Sequence, residues 1–170
     1  MSIGRTFKEA LQKALRSLEI KKYGLESMLF KDLKNCDGSN GALEVIQAKL
    51  RVPNAERVFY LGDALRIGMS IDEIFKLTKI DPWFLHNMKE IIDLEKEILN
   101  TKGLADDRLL IKAKEYGFSD RQLGGMLNKT EEEVCKLRKE RNIKVSFKLV
   151  DTCAAEFRAH TPYFYSTYEQ

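Results

Sequence analysis

Gly68-Met69-Ser70-Ile71-Asp72-Glu73-Ile74-Phe75-Lys76-Leu77 and Gly117-Phe118-Ser119-Asp120-Arg121-Gln122-Leu123-Gly124-Gly125-Met126 are one turn and one helix written twice, 49 residues apart. Ser70 and Ser119 each follow a glycine by two positions. Each is followed four residues later by Ile74 or Leu123 and seven later by Leu77 or Met126. Glycine then serine reads as a helix end followed by an N-cap, and the apolar spacing reads as one face of the next helix. The correspondence runs on in both directions. Asp81 and Thr130 stand at two further caps, Leu85 matches Val134, and Met88 matches Leu137; upstream, Leu61 matches Leu110 and Ala64 matches Ala113.

Each copy therefore reads as three helices. The first has Ala55 to Ile67, Ile71 to Thr78 and Pro82 to Leu99, and the second has Asp106 to Tyr116, Asp120 to Leu127 and Glu131 to Asn142. Helices with apolar stripes must bury them against one another, so the pattern predicts an all-α domain of two related three-helix subdomains. Two copies are too few for a solenoid.

Ahead of the repeat, Thr6 and Glu9 are spaced as a capping box. Phe7, Ala10, Leu11, Ala14, Leu15 and Leu18 then recur on one face of an N-terminal helix ending near Glu19. Gly24, Gly38 and the polar run Asn35-Cys36-Asp37-Gly38-Ser39-Asn40 mark a loop with a short helix around Leu25 to Leu33. Gly41 to Leu50 reads as a helix stopped by Val52-Pro53. After the repeat, Leu149 to Gln170 carries Phe157, Tyr163, Phe164, Tyr165 and Tyr168 with no helical stripe, so an extended aromatic C-terminal tail is predicted. Phe147, Leu149 and that tail either pack inward or pair with another chain; alternation alone leaves both open.

With 44% hydrophobic and 32% charged residues among 170, the chain is long enough to bury a core. A net charge of +3 is far from the basic footprint of a nucleic-acid binder. No run approaches the roughly 18 apolar residues of a membrane span. Cys36, Cys135 and Cys153 are scattered, with no C-x-x-C pair, and read as reduced thiols in a cytoplasmic protein.

Several motifs invite chemistry. Gly117 to Val134, followed by Lys136, Arg138, Lys139 and Arg141, has the shape of a helix-turn-helix DNA-binding regulator, the alternative function. Its second helix opens on Glu131-Glu132-Glu133, which would face phosphate repulsion; the same charges complement the helix dipole. His86 and His160 have no second ligand at metal spacing, and Cys153 has no basic neighbour, so a packed thiol is the simpler reading. Gly124-Gly125 lacks the Lys-Ser/Thr of a phosphate loop and suits close helix packing. Trp83-Phe84-Leu85 follow an Asp81-Pro82 helix start, where ring burial is expected and exposure at a subunit interface is the alternative. Gly4-Arg5-Thr6 at a helix start could hold an anion. No residue converges into a catalytic set.

The wording is also familiar. Met1-Ser2-Ile3-Gly4-Arg5-Thr6 with its helix, Met69 to Ile74, Thr78-Lys79-Ile80-Asp81-Pro82-Trp83-Phe84-Leu85, and Val150-Asp151-Thr152-Cys153-Ala154-Ala155-Glu156-Phe157 with Thr161-Pro162-Tyr163-Phe164-Tyr165-Ser166-Thr167-Tyr168-Glu169 occur in order. Together they resemble the connection (oligomerisation) domain of the carbamoyl phosphate synthetase large subunit. Residues 20–52 carry no diagnostic wording.

The resemblance implies one domain over 1–170: an N-terminal helix and loop region (1–53), first and second helical repeats (54–102 and 103–145) and the tail (146–170). It implies a non-catalytic role joining two ATP-grasp halves absent from this chain, with Met1 an internal position of the parent. The parent makes carbamoyl phosphate from bicarbonate, glutamine-derived ammonia and two ATP for arginine and pyrimidine synthesis. Its ATP and divalent metal (Mg or Mn) bind in those halves, so this segment carries no catalytic, metal or cofactor residue, apart from Arg5 near the ATP-grasp junction. Implied partners are the flanking halves, the glutamine amidotransferase small subunit and further copies in a homo-oligomer, with neither nucleic acid nor membrane. Trp83, Phe84, Tyr163, Phe164, Tyr165 and Tyr168 are the interface candidates.

Overall fold

The computed structural model describes residues 2–29, 38–101, 106–154, 156–158, 160 and 162–169. Described elements run α1 (Phe7–Arg16), α2 (Gly38–Arg51), α3 (Arg57–Arg66), α4 (Ile71–Thr78), α5 (Pro82–Asn100), α6 (Asp107–Glu115), α7 (Asp120–Leu127), α8 (Glu131–Glu140), β1 (Ser146–Leu149) and β2 (Phe164–Thr167). Among the described residues the fold is all-α in character with one small two-stranded sheet. Residues 30–37, which include Cys36 and the second part of the short helix predicted around Leu25 to Leu33, lie outside the described residues.

The chain divides into two compact units, Met1–Gly24 with Ile98–Gln170, and Leu25–Glu97. In the second of these, α3 is buried on every side, with Phe59 through Leu65 all enclosed. Ile46, Leu50, Ile74, Leu85, Ile91 and Ile92 complete that core. In the other unit Leu15, Leu110, Ala113, Phe118, Leu123 and Val134 form the core.

The repeat is visible in the backbone. α3 and α6 both end in a Schellman turn, with Met69 N–H on the Ala64 carbonyl and Phe118 N–H on the Ala113 carbonyl, each at 3.0 Å. Gly68 (φ 90°) and Gly117 (φ 88°) occupy the left-handed position that such a turn requires. Ser70 and Ser119 cap α4 and α7 by accepting from Glu73 N–H and Gln122 N–H. Both of those helices then end on a non-glycine left-handed residue, Lys79 (φ 59°) and Asn128 (φ 54°). Thr130 and Glu133 make a capping box at α8. Gly124 is needed at its close approach, since a Cβ there would lie 2.7 Å from the Lys129 carbonyl oxygen; Gly125 faces open space, so the packing reading fits only the first of the pair.

Two sequence expectations are corrected. The predicted apolar face of α1 is not its buried face: of Phe7, Ala10, Leu11, Ala14, Leu15 and Leu18, only Leu15 is buried, and the helix ends at Arg16. Glu9 and Gln12 lie inward instead. On that face Glu9 accepts from Thr167 of β2, Gln12 accepts from Gln122 of α7, and Leu15 packs beside them. The second correction concerns Trp83 and Phe84, which are exposed at 55% and 42% while Leu85 is fully buried. The buried stripe of α5 runs Leu85, Met88, Ile91, Ile92, and each step along a helix turns by about 100°, which carries Trp83 off that stripe.

The aromatic tail pairs within its own chain. β2 runs antiparallel to β1, with Ser146 opposite Thr167 and Leu149 opposite Phe164. Phe147, Leu149 and Phe164 share one face of this ribbon and are exposed, while Thr167 is buried on the other. No helix among the described residues is long and apolar enough to cross a membrane.

Candidate functional site: a polar clasp between the first helix and the last strand

Thr6 caps α1 by accepting from Glu9 N–H at 3.2 Å. The predicted reciprocal half of the box is displaced by one residue, because the Glu9 carboxylate accepts from Arg5 N–H at 2.7 Å. Glu9 is only 2% exposed. A buried carboxylate is costly unless its oxygens are satisfied, and two more donors reach this one. Lys13 Nζ lies 2.9 Å away, one helical turn on, and Thr167 Oγ1 donates from β2 at 3.2 Å. Lys13 also donates to the Ile3 carbonyl (3.0 Å) and, closely, to the Ser166 carbonyl. Arg5, the residue read as an anion holder, pairs with Glu169 at 2.9 Å in an exposed setting. Ser146 Oγ donates to the Thr167 carbonyl at 3.1 Å.

Beside this clasp lies a groove of about 590 Å³ bordered in part by Arg16, Lys114, Ser119, Asp120 and Tyr168. Lys114 is buried on α6 and donates to the Phe118 carbonyl (2.7 Å) and to Asp120 (2.8 Å). Arg138 of α8 closes on the other oxygen of Asp120 at 3.0 Å. Both cations sit over the Tyr168 ring, at 4.9 and 5.5 Å from its centre. Burial pushes the Lys114 ammonium below its ordinary range, against the pull of Asp120. Burial raises the Asp120 carboxyl, but Lys114 and Arg138 outweigh it and the group is held below the usual aspartate range. Burial also raises the Tyr168 phenol and lowers Arg16, whose guanidinium donates to the Gly117 carbonyl at 2.8 Å.

Chemically this arrangement holds segments in place. Among the described residues no group of three or more His, Cys, Asp or Glu is placed to hold a metal ion. His86 and His160 are exposed and far apart in sequence; Cys135 and Cys153 are free thiols, half-buried. Cys153 is thus less packed than the sequence suggests.

The interface candidates separate into two groups. Trp83 and Phe84 meet edge to face at 5.0 Å on the surface of one unit. Tyr163 and Phe164 are exposed in the other, whereas Tyr165 and Tyr168 are half-buried, Tyr168 in the cation cluster. Lys13, Lys114 and Thr167 were not singled out from sequence, and Glu9 only as half of a capping box. The Glu9–Lys13 spacing was the available signal, and it reads equally well as a solvated pair on a helix surface.

Three of the four cations that follow the helix-turn-helix shape of α7 and α8 stand beside carboxylates. Lys136 pairs with Glu140, Arg138 with Asp120 and Arg141 with Asp107. The first turn of α8 presents Glu131, Glu132 and Glu133. DNA recognition finds no support in this geometry.

The class that this fold defines is an all-α module whose first helix and last strand are joined by polar contacts. Residues 1–142 match the family model of the carbamoyl-phosphate synthetase large chain, oligomerisation domain. The chain belongs to that family. It is 51% identical, over 99% of its length, to the carbamoyl phosphate synthase large chain of Archaeoglobus fulgidus, covering 16% of that protein. It is 49% identical over its full length to the carbamoyl phosphate synthase large chain, N-terminal section, of Aquifex aeolicus, covering 29% of it. The chain thus spans less than a third of either relative.

Proposed function

We propose that this chain acts as the non-catalytic connection segment of a carbamoyl phosphate synthase large chain, joining two ATP-grasp halves and contributing contacts between copies. The observation that carries the reading is the 51% identity to a large chain of which this sequence covers a small part. In this reading the flanking halves bind ATP with Mg or Mn, and a glutaminase small subunit supplies ammonia. The whole enzyme makes carbamoyl phosphate in the cytoplasm for arginine and pyrimidine synthesis. Exposed Trp83, Phe84, Tyr163 and Phe164 support subunit or domain contacts in this reading. Arg5, paired with Glu169, would adjoin the first half.

The test is a chimera in which this segment replaces its counterpart in the Archaeoglobus large chain. Retained carbamoyl phosphate formation is the expected result. Full loss of activity in a chimera that folds and sediments normally sinks the reading. Sedimentation velocity on the 170-residue chain, with ATP turnover assayed alongside, adds a second readout. A concentration-dependent larger species places assembly contacts here, a monomer places them elsewhere, and turnover by the chain alone refutes a non-catalytic role.

A further inference from the structure

β2 has little to keep it ordered by itself. It is four residues long, pairs with one strand only, and its outward face leaves Phe164 in solvent beside Phe147 and Leu149. A two-stranded ribbon of this size is marginal in water. Its inward face is held by polar contacts from α1. Thr167, 1% exposed, donates to Glu9, and the Ser166 carbonyl accepts from Lys13. The same two side chains secure the start of α1, since Glu9 accepts from Arg5 N–H and Lys13 donates to the Ile3 carbonyl. One carboxylate and one ammonium thus serve residues 3–5 and residues 166–167 together.

We propose that Glu9 is the keystone of a clasp that makes the N-terminal helix start and the C-terminal strand order and open as a single element. Removing the carboxylate takes the counter-charge from the mostly buried Lys13 ammonium and the acceptor from the buried Thr167 hydroxyl at once, so both segments lose a tie together. A merely local contact would loosen one segment and spare the other. The consequence for the connector role rests on the reading above: whatever adjoins these two segments in a longer large chain is held at one fixed spacing through Glu9. The clasp itself is a property of this chain and stands or falls without that reading.

The experiment is hydrogen exchange by mass spectrometry on the 170-residue chain, comparing the parent sequence with Glu9→Ala and Thr167→Val. Both variants are expected to raise exchange in residues 3–9 and 164–168 together, by roughly tenfold or more, while Ile71–Thr78 in the other unit keeps its rate. Thr167→Val, which removes only the hydroxyl at constant shape, decides the matter if Glu9→Ala unfolds the unit as a whole. Faster exchange in β2 with the start of α1 unchanged, or no change in either, overturns the proposal. Failure of the chimera with the exchange coupling intact would reject the connector reading and leave the clasp standing.

Discussion

The two helical repeats share a backbone and differ in charge. Both end their first helix at a left-handed glycine, cap the second with serine and close it on a left-handed Lys79 or Asn128. Their ionic centres are opposite in sign. In the first, Arg66 stands between two carboxylates, Asp63 at 3.1 Å and Glu95 at 2.7 Å, and Asp63 also accepts from Met28 N–H. In the second, Asp120 stands between two cations, Lys114 and Arg138. The first centre ties α3 to α5; the second ties α6, α7 and α8 and supports Tyr168. Turn chemistry specifies where helices begin and end, while the ion that joins them can be of either sign as long as it is compensated.

The sharpest way to break this symmetry is Arg66→Met. It leaves Asp63, which is fully buried, facing Glu95 with no cation between them. A loss of about 3–5 kcal/mol is expected from removing one partner of a buried ion pair, read from the urea midpoint of the chain. A loss under a third of that would show that the first centre is dispensable.

The mirror experiment, Asp120→Asn, leaves Lys114 and Arg138 without their counter-charge and should cost about 1–3 kcal/mol at neutral pH. It also changes the acid limb. Asp120 is held below the usual aspartate range in the folded chain, so its stabilisation is complete above the unfolded aspartate pKa and is lost as pH falls through the lower folded value. Urea titrations from neutral to acid pH should therefore fall less steeply for Asp120→Asn than for the parent.

Glycine substitutions separate the two members of one dipeptide. Gly124→Ala forces a Cβ against the Lys129 carbonyl and should destabilise by about 1–3 kcal/mol. Gly125→Ala meets nothing within contact distance and should stabilise α7 by about 0.5–1 kcal/mol. Thermal melts of the pair give opposite signs if the geometry is right. The smallest effect compares the left-handed caps: Lys79→Gly should gain at most about 1 kcal/mol, and Asn128→Gly less, because asparagine tolerates that conformation better than lysine.

The repeat was legible because its signals are local. The bounds of α4 and α7 follow from Ser70, Ser119 and the apolar spacing behind them, and the structure places them at Ile71–Thr78 and Asp120–Leu127. The face that α1 buries was only partly legible, since its apolar stripe pointed to Phe7, Ala10, Leu11 and Leu15, whereas Glu9, Gln12 and Leu15 are the enclosed residues. Periodicity reports which face is apolar; it does not report that a strand 158 residues away offers a hydroxyl to Glu9. Pairing of β2 with β1 was likewise open, because an alternating strip looks the same whether its partner is in the same chain or another. The cluster at Tyr168 joins α6, α7, α8 and the tail, none of which signals the others in sequence.

The ribbon of β1 and β2 has a practical side for anyone preparing this segment by itself. Two short strands that turn Phe147, Leu149 and Phe164 toward solvent, with Tyr163 exposed next to them, form a sticky template for other unpaired strands during expression and concentration. A lysine in place of Phe147 adds a charge to that face and leaves Ser146 and Thr167, on the opposite face of the ribbon, unchanged. Phe147→Lys is expected to lower that tendency, read as less concentration-dependent association in sedimentation, and its ammonium offers a handle for surface attachment.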